Sequence, residues 1–186
     1  MKIKKCNAVL GLLSGLCLLL HVCYSAFCYL TMYYNPVLKE AFIAPLMLLT
    51  LLHAVLGMMN VFMLSDGTRL TQYPKRNIKT ILQRGSAALI FPFLILHLDT
   101  FSMMKSSAES GKTAVIILLM LVQILFYAAV LLHIAVSVSR ALITLGLLQS
   151  VQTQKRIDKV CLIFAAVLLA AAAFCVIKGQ AVMFLR

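Results

Sequence analysis

Five long apolar runs constrain the fold of this 186-residue chain more than any other feature of its sequence. The runs cover residues 8–30, 41–64, 85–104, 114–148 and 160–185. A helix needs about 20 residues to cross the ~30 Å hydrocarbon layer of a bilayer, so every run is long enough for one crossing. Hydrophobic residues make up 63% of the chain, well above the roughly 45–50% of soluble domains. The sequence therefore predicts an integral membrane protein.

The polar segments between the runs are too short to form a separate soluble domain. The longest of them, residues 65–84, contains Pro74, which favours a short amphipathic lead-in to the third helix. Residues 105–113, KSSAESGKT, are predicted to be a plain exposed connector. We therefore predict one all-α membrane domain over residues 1–186. It is a bundle of five transmembrane helices over 8–30, 41–64, 78–104, 114–148 and 160–185.

The net charge of +12 is distributed unevenly between the two sides of the predicted bundle. If the N-terminus lies inside, twelve of the Lys and Arg residues fall on the inner side and five on the outer side. Cytoplasmic segments of membrane proteins carry such an excess, which predicts the N-terminus inside and the C-terminus outside. This distribution argues against nucleic acid as a partner. It suits anionic lipid or a soluble protein docked on the inner face.

The start of the chain also has features of a secretory signal peptide, namely a basic segment followed by an apolar one. The apolar run, however, continues past the candidate cleavage position near Ser25 to Leu30, and it contains a histidine. These two features favour a retained membrane helix.

All four histidines of the chain lie in apolar runs, one in each of the first four: His21, His53, His97 and His133. Ionisable groups at membrane depth are costly, and they usually serve as ligands, proton relays or pore residues. The one-per-helix placement therefore indicates a function for these imidazoles.

The depth of each histidine follows from the 1.5 Å rise per helical residue. His97 lies close to the outer end of its run, whereas His133 comes nineteen residues after Ala114, roughly 28 Å into its helix. His21 lies slightly nearer the outer end of its run, and His53 lies slightly nearer the inner end of its run. The predicted pairs are therefore His21 with His97, and His53 with His133.

Two imidazoles on facing helices of a bundle are the axial ligand set of a six-coordinate haem iron. Two such pairs at different depths predict two haems stacked across the membrane. Gly57 follows His53 by one helical turn, which leaves room beside the imidazole for a large planar group. The sequence has no C-x-x-C-H motif, so the haems would not be covalently attached.

Three other kinds of protein fit the histidine pattern less well. A metal transporter needs His with carboxylates or thiols at one depth, and the carboxylates near the membrane are only Asp99 and Glu40. A proton channel needs a chain of titratable groups, not two separated pairs. A haem-free structural protein would gain only ~0.6 kcal/mol per interhelical hydrogen bond. The two pairs fit haem ligation better than any of these.

The order of these motifs resembles the five-helix, two-haem cytochrome b subunit of bacterial succinate dehydrogenases and the related fumarate reductases. The shared features are His21, the segment LLHAVLG around His53, a basic inner linker ending in LQR, His97, and His133 followed by ITLG. The resemblance extends over essentially the whole chain, including a fifth helix without a haem ligand.

The resemblance implies two haems b, a distal one ligated by the first and third histidines and a proximal one ligated by the second and fourth. It also implies an iron–sulfur subunit and a flavoprotein on the inner face, in a bacterial cytoplasmic membrane. The chain itself would not act on succinate or fumarate. It would exchange electrons with quinone, and menaquinone is the expected one. The alternative with the same cofactor is the cytochrome b subunit of a hydrogenase or a formate dehydrogenase.

Three charged residues complete the predicted site. Glu40 lies between the first two helices, in the region where members of this family can carry a carboxylate for quinol protons. Arg84 and Arg140 lie near the inner membrane edge, where a guanidinium would pair well with a haem propionate.

Overall fold

The computed structural model describes residues 2–63 and 74–185, with only the backbone described over 74–77. The helices are α1 (Lys2–Thr31), α2 (Pro36–Met58), α3 (Pro74–Glu109), α4 (Thr113–Leu145) and α5 (Val151–Phe184), with a π-helical turn, Met59–Met63, after α2. Residues 65–73 of the predicted linker lie outside the described part. All five helices are long and apolar enough to cross a membrane. The predicted all-α fold with five transmembrane helices is confirmed.

The link between α1 and α2 is held by Asn35 and Tyr24. The Asn35 side chain caps α2 by accepting hydrogen bonds from the backbone N–H groups of Val37 and Leu38, at 3.0 and 3.2 Å. The Tyr24 hydroxyl donates to the Asn35 carbonyl at 2.7 Å and accepts from its N–H at 2.9 Å. The short link therefore joins α1 and α2 as antiparallel neighbours.

Helix α4 ends at Leu145, three residues before the predicted end. Gly146 has a left-handed conformation, with φ +80°, which favours glycine. Its N–H donates to the Ile143 carbonyl at 3.0 Å, and the N–H of Leu147 donates to the Leu142 carbonyl at 2.9 Å. These two bonds satisfy carbonyls that the helix end would otherwise leave unpaired.

Most residues of the predicted connector over 105–113 are exposed, as predicted, but its first five residues are helical. Helix α3 continues to Glu109, and a short turn leads from it into α4. Met104 has no exposed surface, and it packs against Ile116 and Met120 near the start of α4. This apolar contact stabilises the extra turn of α3 against its neighbour.

Helix α4 is the central element of the bundle. It packs against α1, α3 and α5, while α2 packs along α1. Among the described helices, α4 has more buried residues than any other, and α2 has none. We call the end that holds the starts of α1, α3 and α5 the inner end, following the predicted orientation, and the opposite end the outer end.

Helix α5 joins α1 and α4 near the outer end. The Tyr29 ring of α1 lies directly against Gly179. The buried Gln180 side chain donates from Nε2 to the Tyr29 hydroxyl and to Gln123 Oε1, both at 3.1 Å. Gly179 and Gln180 could not be recognised from the sequence as packing residues, because small and amide residues in an apolar run carry no specific pattern.

Replacing Gly179 with Ala tests this packing. An added Cβ would lie 2.7 Å from Tyr29 Cβ and 2.8 Å from its Cγ, so α1 and α5 would have to separate. We expect a loss of about 1–3 kcal/mol in the free energy of unfolding, measured by denaturant titration in detergent. The control is Gly85→Ala, where a Cβ meets nothing within 4 Å. Equal stability of the two variants would contradict the contact.

Candidate functional site

The histidines of α2 and α4 form a close pair. The ring centroids of His53 and His133 lie 6.3 Å apart, with their planes at 65°. Imidazole nitrogen binds a metal ion at about 2.0–2.1 Å, and the ring centre lies roughly 1 Å beyond it, so two imidazoles on opposite sides of one ion have ring centres roughly 6 Å apart. The spacing of His53 and His133 matches this distance.

Backbone carbonyls determine which nitrogen of each ring carries the proton. His53 Nδ1 lies 3.1 Å from the Asn7 carbonyl of α1, and His133 Nδ1 lies 3.1 Å from the Gln83 carbonyl of α3. Because a carbonyl can only accept, each Nδ1 donates, and the lone pair of the neutral ring lies on Nε2. Metal-binding histidines are typically oriented by such bonds. Both rings are thus prepared to bind through Nε2.

Gly11 allows His53 to reach the Asn7 carbonyl. Gly11 follows Asn7 by one turn, and a Cβ added to it would lie 2.8 Å from His53 Cε1 and 3.0 Å from His53 Nδ1. Any larger residue would therefore push the imidazole away from its acceptor. At Gly57, where the spacing to His53 predicts open space, an added Cβ meets nothing within 4 Å.

The histidines of α1 and α3, His21 and His97, interact electrostatically. His97 stacks on Phe126 of α4, with ring centroids 4.8 Å apart, and its ring meets the edge of Tyr127 at 5.9 Å. The Nδ1 atoms of His21 and His97 are buried and have no hydrogen-bond partner within the described residues. Because buried polar atoms are normally paired, these two nitrogens are exceptions, and no hydrogen bond to Nδ1 within the described residues determines the tautomer of either ring.

The two pairs lie at different levels of the bundle. On α4, Tyr127 contacts His97 and precedes His133 by six residues, about 9 Å of helix. On α3, Gln83 contacts His133 and precedes His97 by fourteen residues, about 21 Å. The structure therefore brings His53 and His133 together toward the inner end, and His97 lies closer to the outer end, beside Phe126 and Tyr127. The pairing of His21 with His97 stays a prediction.

Arg140, a predicted propionate partner, bridges α4 to α3. Its Nη1 donates to Gln83 Oε1 and its Nη2 to Thr80 Oγ1, both at 2.8 Å. Arg84, the other predicted partner, follows Gln83 directly and is half-buried at the same level. The roles of both arginines toward a propionate stay predictions.

Sequence reasoning missed Asp158 of α5, which joins three helices at the inner end. Its carboxylate accepts a hydrogen bond from Ser139 of α4 at 2.6 Å and forms an ion pair with Lys79 of α3. The signal that could have found it is a lone acidic residue among three basic ones, directly before the fifth apolar run. A membrane-edge carboxylate in such a setting is usually paired.

Glu40, the predicted proton group, lies exposed near the start of α2, at the outer end. The preceding residue, Lys39, interacts electrostatically with His21. The start of α2 is therefore close to the level of the His21–His97 pair. The role of Glu40 in quinone chemistry stays a prediction.

Larger groups of metal ligands are absent from the part of the chain that the structure describes. No three His, Cys, Asp or Glu side chains there are placed to hold a metal ion together. A six-coordinate haem iron takes only two protein ligands, so each histidine pair is a complete set for that centre.

Comparison with protein-family models, curated proteins and solved structures finds no match for this chain. What the site can do is therefore inferred from its own residues. These are two imidazole pairs, each on facing helices, at two levels of a bundle long enough to span a membrane.

Proposed function

We propose that the chain is the membrane-anchoring dihaem cytochrome b subunit of a succinate dehydrogenase or fumarate reductase. It would carry electrons between an iron–sulfur subunit and quinone in a bacterial cytoplasmic membrane. The observation that carries the proposal is the pairing of His53 with His133 at 6.3 Å, with each Nδ1 donating to a carbonyl. This arrangement leaves two Nε2 lone pairs for one iron.

The residues present fit two haems. His53 and His133 would hold the inner haem, and His21 and His97 the outer one. The outer pair is supported by the electrostatic interaction of His97 with His21, and the open space at Gly57 supports a planar group near the inner pair. When bound, haem b supplies reversible one-electron transfer.

The separation of the two pairs suits charge movement across a membrane. With quinone at the outer end and dicarboxylate chemistry inside, each electron crosses the membrane potential, worth ~2.3 kcal/mol per charge per 100 mV. The direction of transfer depends on the potentials of the partner subunits.

The outer and inner ends of the bundle carry different groups for the proposed electron and proton transfer. At the outer end, the exposed carboxylate of Glu40 is available to exchange protons with quinol. At the inner end, Arg84 and Arg140 are candidates to pair with propionates. Among the described residues, the inner end also carries exposed cations: Lys2, Lys4, Lys5, Lys155, Arg156 and Lys159. They suit the acidic surface of a soluble iron–sulfur partner.

The haem content of the purified protein tests the proposal directly. We expect two haems b per chain by the pyridine haemochromogen method, with low-spin reduced spectra. Because each haem needs both of its ligands, His53→Ala and His133→Ala should each retain only the outer haem, and His21→Ala only the inner. Glu40→Gln, which alters no ligand, should retain two. A folded wild-type protein without haem would refute the proposal.

Gly11→Ala tests whether the inner haem depends on the position of His53. The added methyl group displaces the imidazole from the Asn7 carbonyl, so we expect reduced occupancy of the inner haem and an altered low-spin EPR signal. Gly15→Ala, one turn further on α1, meets nothing within 4 Å and should leave both haems unchanged. An equal loss in both variants would mean that Gly11 does not act through His53.

His97→Ala tests whether, in the assembled complex, the outer haem is needed for quinone-linked activity but not for succinate oxidation. Loss of the outer haem should reduce quinone-linked activity to background, while succinate oxidation with an artificial inner-side acceptor persists. Loss of both activities from a stably assembled complex would contradict this division. Mass spectrometry of the co-purified subunits distinguishes the partners, and hydrogenase or formate dehydrogenase subunits would replace the proposed assignment.

A further inference from the structure

His133 has two hydrogen-bond acceptors on α3. Its Nδ1 lies 3.1 Å from the Gln83 carbonyl and 3.3 Å from Ser86 Oγ. The Ser86 hydroxyl is 3% exposed and donates to the Leu82 carbonyl at 2.6 Å, with the Gln83 carbonyl as a second, longer acceptor at 3.1 Å. Because its proton is engaged there, the hydroxyl oxygen is left to accept from His133. The N–H of the imidazole is therefore shared between a backbone and a side-chain oxygen.

Arg140 holds those acceptors at a fixed distance from α4. It lies two turns after His133 on the same helix, and its two terminal nitrogens donate to Gln83 and Thr80 on α3. A guanidinium is a rigid planar fork, so two such bonds restrict both the separation and the rotation of the helices. One of the bonded residues, Gln83, is also the residue whose carbonyl accepts from His133.

Asp158 reinforces this contact from α5. It accepts a hydrogen bond from the fully buried Ser139, forms an ion pair with Lys79, and interacts electrostatically with Arg140. Three helices thus meet at the level of Arg140, about two turns from His133 toward the inner end. Rotation of α3 against α4 would break several bonds at once.

We propose that Arg140 and Ser86 are positioning residues that hold His133 in its Nδ1–H tautomer, with the Nε2 lone pair free. The bond made by one ring nitrogen determines the state of the other. The purpose of this arrangement rests on the proposed function, since Nε2 would bind the inner haem iron. The tautomer itself depends only on residues of this chain, so it can be measured without haem.

The other histidines provide internal references. Among the described residues, His53 Nδ1 on α2 has one hydrogen-bond acceptor, the Asn7 carbonyl of α1. Within the described residues, the Nδ1 atoms of His21 and His97 have none. A change confined to His133 therefore reports on its own surroundings and not on the whole fold.

The test uses Ser86→Ala and Arg140→Lys, with Thr100→Val as the matched control. Lys keeps the positive charge of Arg140 but cannot bridge Gln83 and Thr80. Thr100 is a fully buried α3 residue whose hydroxyl also donates to the carbonyl four residues earlier, at 2.6 Å, but within the described residues it has no hydrogen bond to a histidine. The tautomers are read from 15N chemical shifts of haem-free protein labelled at histidine, by solid-state NMR in bilayers. His133→Gln assigns the signal.

We expect His133 of the wild type and of Thr100→Val to show one Nδ1–H form. Ser86→Ala and Arg140→Lys should show a mixture of tautomers at His133 alone. A single Nδ1–H form in both variants, or an Nε2–H form in the wild type, would overturn the proposal. If Arg140→Lys fails to assemble, the nearly isosteric Ser86→Ala decides the outcome by itself.

A second readout uses the haem-loaded protein. Loss of an acceptor weakens the electron donation of the imidazole to iron, so Ser86→Ala should raise the midpoint potential of the inner haem and change its EPR signal. The outer haem should not change. Equal shifts in both haems, or in neither, would contradict the role of Ser86. A wild-type preparation without haem would refute the proposed function, whereas the NMR measurement would still decide the positioning role.

Discussion

The cost of an unpaired polar group in hydrocarbon is the constraint on which the rest of this structure depends. No bulk water reaches the interior of a bilayer, so each imidazole there needs a partner within the protein or in a bound group. A helix carbonyl can supply one only where the residue a turn later leaves it accessible. Gly11 follows Asn7, and Ala87 follows Gln83, by four residues in each case. The partners of His53 and His133 are the carbonyls of Asn7 and Gln83.

The central position of α4 follows from the same constraint. This helix carries His133 and Arg140, which bond to α3, together with Gln123 and Ser139, which bond to α5. Its polar side chains therefore point to different neighbours at different levels. Helix α2 has no buried residue in the described part and contributes chiefly His53. The polar contacts set the rotation of each helix, which apolar packing alone would leave poorly determined.

The spans, and the grouping of the histidines by depth, could be predicted from the sequence because run length and helical rise determine both. The ends of α3 and α4 could not be placed as well, since they depend on the packing of Met104 and on the left-handed Gly146. The acceptors of the imidazoles were also beyond prediction. They are backbone atoms, and which carbonyl faces a ring depends on the rotation of two helices. The runs are apolar on nearly every side, so their pattern does not report that rotation.

The two histidine pairs are oriented by different physical means. At the inner level, hydrogen bonds to carbonyls determine the tautomer of both rings before any group binds. At the outer level, His97 is oriented by stacking on Phe126 and by the edge of Tyr127, while its Nδ1 and that of His21 have no partner in the described part. Stacking fixes the plane of a ring but not its protonated nitrogen. The tautomers of the inner pair are therefore determined by the protein, whereas hydrogen bonds to Nδ1 within the described residues determine neither tautomer of the outer pair.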